Sequence, residues 1–336
     1  MSQVIAARTA SRTVVSSQWW HVSLSAGDFD AADGIIEELI TPLVAQAQKY
    51  GAKRWYFTRS RSTASGAGSD VVLSVQAHPR VLARLRSFQQ EHRTDPGSAS
   101  SLLSARQYFT PPASDTYYAG GQHMADPQLE ANLVRYGGVE GLGLAEEVFE
   151  LGSELAIWAA QRFPRPQSRS AFAAILLFDA AQSMTSGPHS ERWIDRRISW
   201  GHYWDSHLRT CTADAGVHAA DVRTAMTAHV STKAAGFHSL MDAEASELAV
   251  QRWRRRWCQA LDSYLHRANR VCVSRSALHL TVYQAHMMLN RLGISAAEEA
   301  PLGLYARSWV PQVTLSRGPA GTRRRSSDTT GRGADR

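Results

Sequence analysis

Five residues near the C-terminal end of the sequence carry side chains suited to moving protons: Ser276, His279, Tyr283, His286 and Asn290. Their spacings of three, four, three and four put them on one stripe of a helix, at about 100° per residue. A neighbouring stripe holds Leu278, Val282, Ala285, Leu289 and Leu292, which gives the segment an apolar face to bury. A solvated face would normally carry charge, and a core face would be apolar. This face is neither. Hydroxyl, imidazole, phenol and amide groups suit a half-buried pocket that moves protons without a fixed charge. A fully satisfied polar network between helices leaves the same pattern, and both readings stand at this point.

Other marks of chemistry are missing. The segment GGVEGLG (137–143) lacks the glycine order of a dinucleotide loop. There is no phosphate-binding loop, no His-Glu-x-x-His and no nucleophile elbow. Cys211, Cys258 and Cys272 are too scattered for a disulfide framework or a CxxC metal knuckle. His202 and His207 are five apart, an awkward spacing on a helix, and read as surface or packing histidines. No metal and no organic cofactor is therefore expected. Trp193, Trp200 and Trp204 fall at helical spacing, as do Trp253 and Trp257, and read as core or groove-lining residues. The arginines of QRWRRRWC (251–258) read as a solvated helix face.

These groups need a scaffold, and 336 residues with 43% hydrophobic content can bury one. The net charge is +7, built from 34 arginines and three lysines against 30 acids. The last 21 residues alone hold six arginines and two aspartates, so the body is only mildly basic. That favours an acidic partner and argues against a nucleic-acid role. No apolar run approaches the ~20 residues that span a bilayer, and the N-terminus has no secretory apolar core. The expected setting is the cytoplasm, with reduced thiols.

Residues 1–17 read as a loose arm and 316–336 as a disordered basic tail. Between them, strands are predicted at 19–25, 53–59, 70–77 and 105–111. Helices are predicted from Asp28 to Gly51, with Pro42 as an interruption, and over 79–92. The order is β-α-β-β-α-β, a split βαβ antiparallel sheet with one helical layer, over about 18–115. Helical periodicity takes over in 139–163, 170–184, 190–209, 242–270 and 276–293. The fold class is α+β: the sheet part packed on a helical bundle of about 126–310.

Three segments carry a family likeness. WWHVSL…WYFTRS, LVRYGGVEGLGLAEEVFELGS (133–153) and AHMMLNRLGI (285–294) resemble, in order and spacing, the C-terminal elimination domain of lantibiotic dehydratases. That domain also occurs as a stand-alone protein of thiopeptide biosynthesis. The likeness runs from about Trp19 to about Trp309. Arg135-Tyr136-Gly137-Gly138 followed by Ala145-Glu146 is its most specific part. It implies one α+β domain over 18–315.

The departures point further. The family's strand after the one matching WYFTR reads His-Leu-Arg-Leu-Arg, with arginines that handle an expelled glutamyl ester. The matching residues here, Val71-Val72-Leu73-Ser74-Val75-Gln76, contain no arginine, although Arg59 survives. The family's Glu before Arg-Tyr-Gly-Gly is Asn132, and one histidine of its His-Met-His-x-Asn-Arg becomes Met288. The branch of the family without that equipment is the thiopeptide pyridine synthases. Membership would imply a formal aza-[4+2] cycloaddition between two dehydroalanines of a ribosomally made precursor peptide, with an acidic leader and an azole-bearing core. On that reading Tyr283, His286, His279 and Ser276 are the catalytic candidates, and Asn290, Arg59 and Arg135 bind substrate. Glutamate elimination from glutamylated serines is one alternative, and a non-catalytic leader-binding partner another. No feature of the sequence sets the oligomeric state.

Overall fold

The structure, a computed structural model, describes residues 17–26, 31–61, 69–93, 105–110 and 127–312. The predicted arm lies almost wholly outside these residues, and the basic tail entirely so. Four strands form one sheet: β1 (Gln18–Ala26), β2 (Arg54–Arg61), β3 (Ser69–Ala77) and β4 (Ala105–Thr110). Their spatial order is β2-β3-β1-β4, and every neighbouring pair is antiparallel. Helical chain joins β1 to β2 and β3 to β4, which is the split βαβ arrangement expected from the sequence.

Period-two alternation decides the two faces. Trp20, Val22 and Leu24 of β1 pair with Val75, Leu73 and Val71 of β3, which pair in turn with Trp55, Phe57 and Arg59 of β2. This buried face receives α1 (Ala31–Ile35) and α3 (Pro79–Arg93). Pro42 does not break the first connection. One π-turn at Ile36–Ile40 leads directly into α2 (Thr41–Lys49), and the proline takes the first turn of α2, where its missing N–H costs least. The opposite face carries Trp19, His21, Tyr56 and Ser74.

The outer edge of β2 would expose unpaired backbone, an invitation to further strand pairing. Side chains from the helical half close it instead. Trp55 N–H donates to the Glu150 carboxylate, and Phe57 N–H to Ser153 Oγ at 3.0 Å. Arg59 N–H donates to Asn290 Oδ1 at 2.9 Å, while Asn290 Nδ2 donates to the Arg59 carbonyl at 2.7 Å.

The helical half comprises α4 (Pro127–Tyr136), α5 (Val139–Arg162), α6 (Pro166–Ser186), α7 (Trp200–Cys211), α8 (Ala219–Ser246), α9 (Leu248–Arg270), α10 (Ala277–Arg291) and α11 (Ala296–Ser308). Helix α6 is its axis. Residues Ala171 to Ala181 are buried without interruption, and α8 to α11 all pack against this helix. Its one buried charge, Asp179, accepts two hydrogen bonds of 2.8 Å from Arg254.

Three expectations need correction. Residues 190–209 are not one helix: 3₁₀ turns at Ser190–Arg192 and Ile194–Arg196 precede α7. There the buried Arg196 guanidinium turns inward to Asp262 and the Ser183 and Met184 carbonyls. The 242–270 stretch is likewise two helices, because Glu247 is extended and separates α8 from α9. The arginine run of α9 is not wholly solvated either, since Arg254 is the buried partner of Asp179.

Candidate functional site

Helix α10 begins where its first polar residue is spent. Ser276 is the N-cap, its Oγ accepting from His279 N–H at 3.2 Å. One turn on, His279 Nε2–H donates to the Arg135 carbonyl at 3.0 Å. Burial, reinforced by Arg275 and Arg135, outweighs that bond and pulls its pKa below the ordinary histidine value. A neutral imidazole is the form present at pH 7.

Tyr283 lies in an aromatic box. Its ring centroid is 4.6 Å from that of His279 and 6.4 Å from that of Tyr136, and the Arg135 guanidinium sits 5.1 Å above the ring. Its hydroxyl has no hydrogen-bond partner among the described residues. A tight turn supplies this box. Gly137 and Gly138 have φ of +78° and +107°, and a Cβ on Gly141 would stand 1.9 Å from the Tyr136 carbonyl oxygen. The glycines of Arg-Tyr-Gly-Gly thus fold α4 onto α5 and deliver Arg135 and Tyr136 to α10.

The box continues onto the sheet. Tyr136 meets Phe149, Phe149 meets Tyr56, and Tyr56 meets Trp19, each pair edge to face at 5.3 Å. Beside Tyr56, Ser74 hydrogen-bonds His21 Nδ1 at 2.9 Å, and His21 Nε2 reaches Thr110 Oγ1 at 2.9 Å. Burial lifts the nearby Glu146 carboxyl to about 7, with Arg54 pulling the other way. An aromatic, hydrogen-bonding sheet face therefore runs up to Tyr283, with the Arg291 guanidinium stacked 4.8 Å from the Phe149 ring centroid.

His286 occupies the next turn. Its Nδ1 is 2.6 Å from Glu299 Oε2, and its side chain is 43% exposed while Glu299 is 1% exposed. Glu299 stands in the first turn of α11, behind a capping box made by Ser295 and Glu298. Burial works against its charge, yet bonds from His207 and His286 hold its pKa down to about 2. The bond to Glu299 raises the pKa of His286 in turn.

The remaining candidates bind protein. Asn290 holds the β2 edge. Arg59 is 5% exposed, with Nε on the Arg291 carbonyl at 3.1 Å and Nη2 on Asp33 Oδ1 at 2.5 Å. Asp33 is shared with Arg169. The structure thus gathers Arg135, His279 and Tyr283, sets His286 one turn along, and ties Asn290 and Arg59 into the scaffold. Sequence reading missed Tyr56, Tyr136, His21, Glu146 and Glu299. Alternation already puts His21 and Tyr56 opposite the core positions of their strands, but their adjacency needs the strand register, and Glu299 needs the tertiary fold. A hollow of about 390 Å³ lined by Trp193, Asn269, Arg275 and Ser276 opens at the start of α10. A wider groove of about 980 Å³ lies away from the stripe, against α7, α8 and α11.

Taken together, a split βαβ sheet sealed along one edge by a helical half, with a polar stripe beside its outer face, defines a specific α+β class. The chain belongs to the family described as the C-terminal part of the lantibiotic biosynthesis dehydratase, which it matches over residues 19–309. Its fold is similar to the crystal structure of TsrL, at 15% identity and a TM-score of 0.55, over 87% of this chain and 94% of that one. It is also similar to TbtD, a pyridine synthase from thiomuracin biosynthesis, at 15% identity and a TM-score of 0.52, over 86% and 96% of the two chains. The tRNA-dependent lantibiotic dehydratase MibB from Microbispora sp. 107891 aligns at 18% identity and a TM-score of 0.41, over 87% of this chain and 28% of that one. Among curated proteins no match is found. Among the described residues no helix is long and apolar enough to cross a membrane.

Proposed function

We propose that this protein closes a pyridine ring between two dehydroalanines of a linear, azole-bearing precursor peptide. One observation carries the reading: β3 brings no guanidinium to the sheet face beside Tyr56. Alternation directs residues 72, 74 and 76 of β3 to that face, and they are Val, Ser and Gln. Arg59, the family guanidinium retained on β2, already serves Asp33 and the Arg291 carbonyl. Expelling a carboxylate calls for donors of positive charge aimed at it. Joining two alkenes calls for proximity and neutral hydrogen bonds.

In the proposed step, the amide of one dehydroalanine tautomerises to its iminol, which makes a 2-azadiene. Its terminal carbon and its imine carbon bond to the two alkene carbons of the second dehydroalanine, closing a six-membered ring. Loss of water, then of the leader as a carboxamide, aromatises that ring. Tyr283 O–H donates to the reacting amide, with Arg135 behind its ring. Neutral His279 and carboxylate-backed His286 move protons for tautomerisation and the two eliminations. Ser276 and Asn290 hold the helix that aims them, Arg59 fixes the strand alongside, and the exposed edge of Arg135 takes peptide carbonyls. The modest positive charge of the body suits an acidic leader.

The test supplies the purified protein with a leader-bearing bis-dehydroalanine peptide and follows it by mass spectrometry. The expected products are a macrocycle and a leader carboxamide. A parallel incubation uses a glutamylated peptide. Loss of glutamate there, with the bis-dehydroalanine peptide untouched, would identify elimination as the reaction. Tight binding with no mass change in either peptide would identify a binding partner.

A further inference from the structure

Behind His286, the far side of Glu299 gathers three different metal-ligand chemistries. His207 and Cys211 stand one turn apart on α7 and so share a face, opposite Glu299 on α11. The ligand atoms of these three residues lie within 4.8 Å of one another. His207 Nε2 is 3.2 Å from Glu299 Oε1 and 3.7 Å from Cys211 Sγ. A tetrahedral zinc, bonded at about 2.3 Å to sulfur and about 2.0–2.1 Å to nitrogen or oxygen, keeps its sulfur and nitrogen ligands about 3.6 Å apart and its nitrogen and oxygen ligands about 3.3 Å apart. Both separations are already present.

Two further features point into the same spot. Tyr203 is fully buried, its hydroxyl has no hydrogen-bond partner among the described residues, and it feels the charges of both Glu299 and Cys211. A buried hydroxyl left without a partner is costly unless something fills the space beside it. Room for the imidazole is also specific. A Cβ on Gly303 would lie 2.6 Å from His207 Cε1 and 2.7 Å from Nδ1, so this glycine of α11 admits the ring.

We infer that His207 Nε2, Cys211 Sγ and Glu299 Oε1 form a tetrahedral site for a zinc-class divalent cation, its fourth position facing the Tyr203 hydroxyl. On binding, the Cys211 thiol releases its proton to solvent. The thiolate and carboxylate then neutralise the dication, and His207 binds as the neutral imidazole. The ion would pin α7 to α11 and leave Glu299 Oε2 facing His286.

Cobalt(II) titration of the tag-free wild-type protein tests this without any peptide substrate. Expected are one equivalent bound, the intense visible absorption of a tetrahedral centre and a thiolate-to-cobalt charge-transfer band, all abolished by zinc. Cys211→Ser removes the charge-transfer band and Glu299→Gln weakens binding at least tenfold, whereas Cys272→Ser, at an exposed thiol, changes neither. Should Cys211→Ser fail to fold, the wild-type titration and the zinc content of the chain as purified decide alone. No band and no zinc in the wild type would overturn the site, as would a band that survives Cys211→Ser or vanishes in Cys272→Ser. Because every readout is of the metal, failure here leaves the ring-closing reading intact, and the reverse also holds.

Discussion

The two ends of α10 carry the same kind of side chain and do opposite things. At the C-terminal end, Asn290 gives both its donor and its acceptor to the β2 backbone, and Arg291 is buried on Ser153 Oγ and the Met287 carbonyl. Toward the N-terminal end, the Tyr283 hydroxyl has no hydrogen-bond partner among the described residues while its ring lies beneath Arg135, and His279 bonds the Arg135 carbonyl through its ring and the Ser276 cap through its N–H. One polar stripe is thus an anchor along half its length and a candidate reaction surface along the other. Polar periodicity marks a face that is neither core nor solvent. Which half does chemistry depends on what packs opposite.

The anchor end predicts the largest loss of stability. Asn290→Leu strands the Arg59 N–H and carbonyl on a closed sheet edge, and two unmade buried bonds cost about 2–4 kcal/mol. Asn290→Asp can still accept from the N–H but cannot donate, and falls between. Urea unfolding measures both. A wild-type midpoint for Asn290→Leu would dissolve the distinction between anchor and site.

Next in size is a pH effect on the sheet-facing side. Burial raises Glu146 to about 7 from an ordinary value of 4.5. Below about pH 4.5 the acid is protonated whether folded or unfolded, and the stability it allows is fully present. That stability is lost as pH rises through 7, because the folded state must then hold a charge in a poorly solvated place. Glu146→Gln should match wild type at pH 4.5 and exceed it at pH 8 by about 2 kcal/mol, after discounting for partial exposure. Thermal melts across that range give the comparison, and a parallel pair of curves would place Glu146 in open solvent.

Much of this architecture was legible beforehand, and the reasons differ by element. The four strands stood out because period-two apolar runs ended at glycine, proline and serine clusters, and α10 because its apolar and polar stripes were adjacent. Helix α8 was invisible: most of its surface is exposed, so it shows no apolar stripe. The 3₁₀ turns before α7 were hidden by tryptophans at helical spacing, since Arg196 turns inward there for ion pairing that periodicity does not record. In the site, residue types pointed to Tyr283 and His286, while Glu299 and Tyr56 arrive from elements whose placement depends on the whole fold. Ser276 and Asn290 share the stripe yet serve helix start and sheet edge, uses that spacing alone does not separate.

Ser276 sharpens that last point. As the N-cap of α10 it should cost about 1 kcal/mol when changed to alanine, with threonine or aspartate restoring most of the loss. Turnover measured well below the melting temperature should fall less than tenfold. A hundredfold loss without unfolding would move Ser276 from the cap to the chemistry.

Tyr283→Phe should have the smallest effect on stability and is the sharpest of these tests. The ring contacts to His279, Tyr136 and Arg135 survive the change, and the hydroxyl that is lost has no partner among the described residues, so the unfolding midpoint should shift by less than about 0.5 kcal/mol. If that hydroxyl stabilises the iminol, removing it takes away an interaction that strengthens toward the transition state, so kcat and kcat/KM should fall together by about 10²-fold or more while KM holds. Asn290→Leu should do the reverse, losing stability first and activity only as the fold fails. Full turnover by a well-folded Tyr283→Phe protein would leave the N-terminal half of α10 as packing and send the search for the amide donor to Tyr56 and His21 on the sheet.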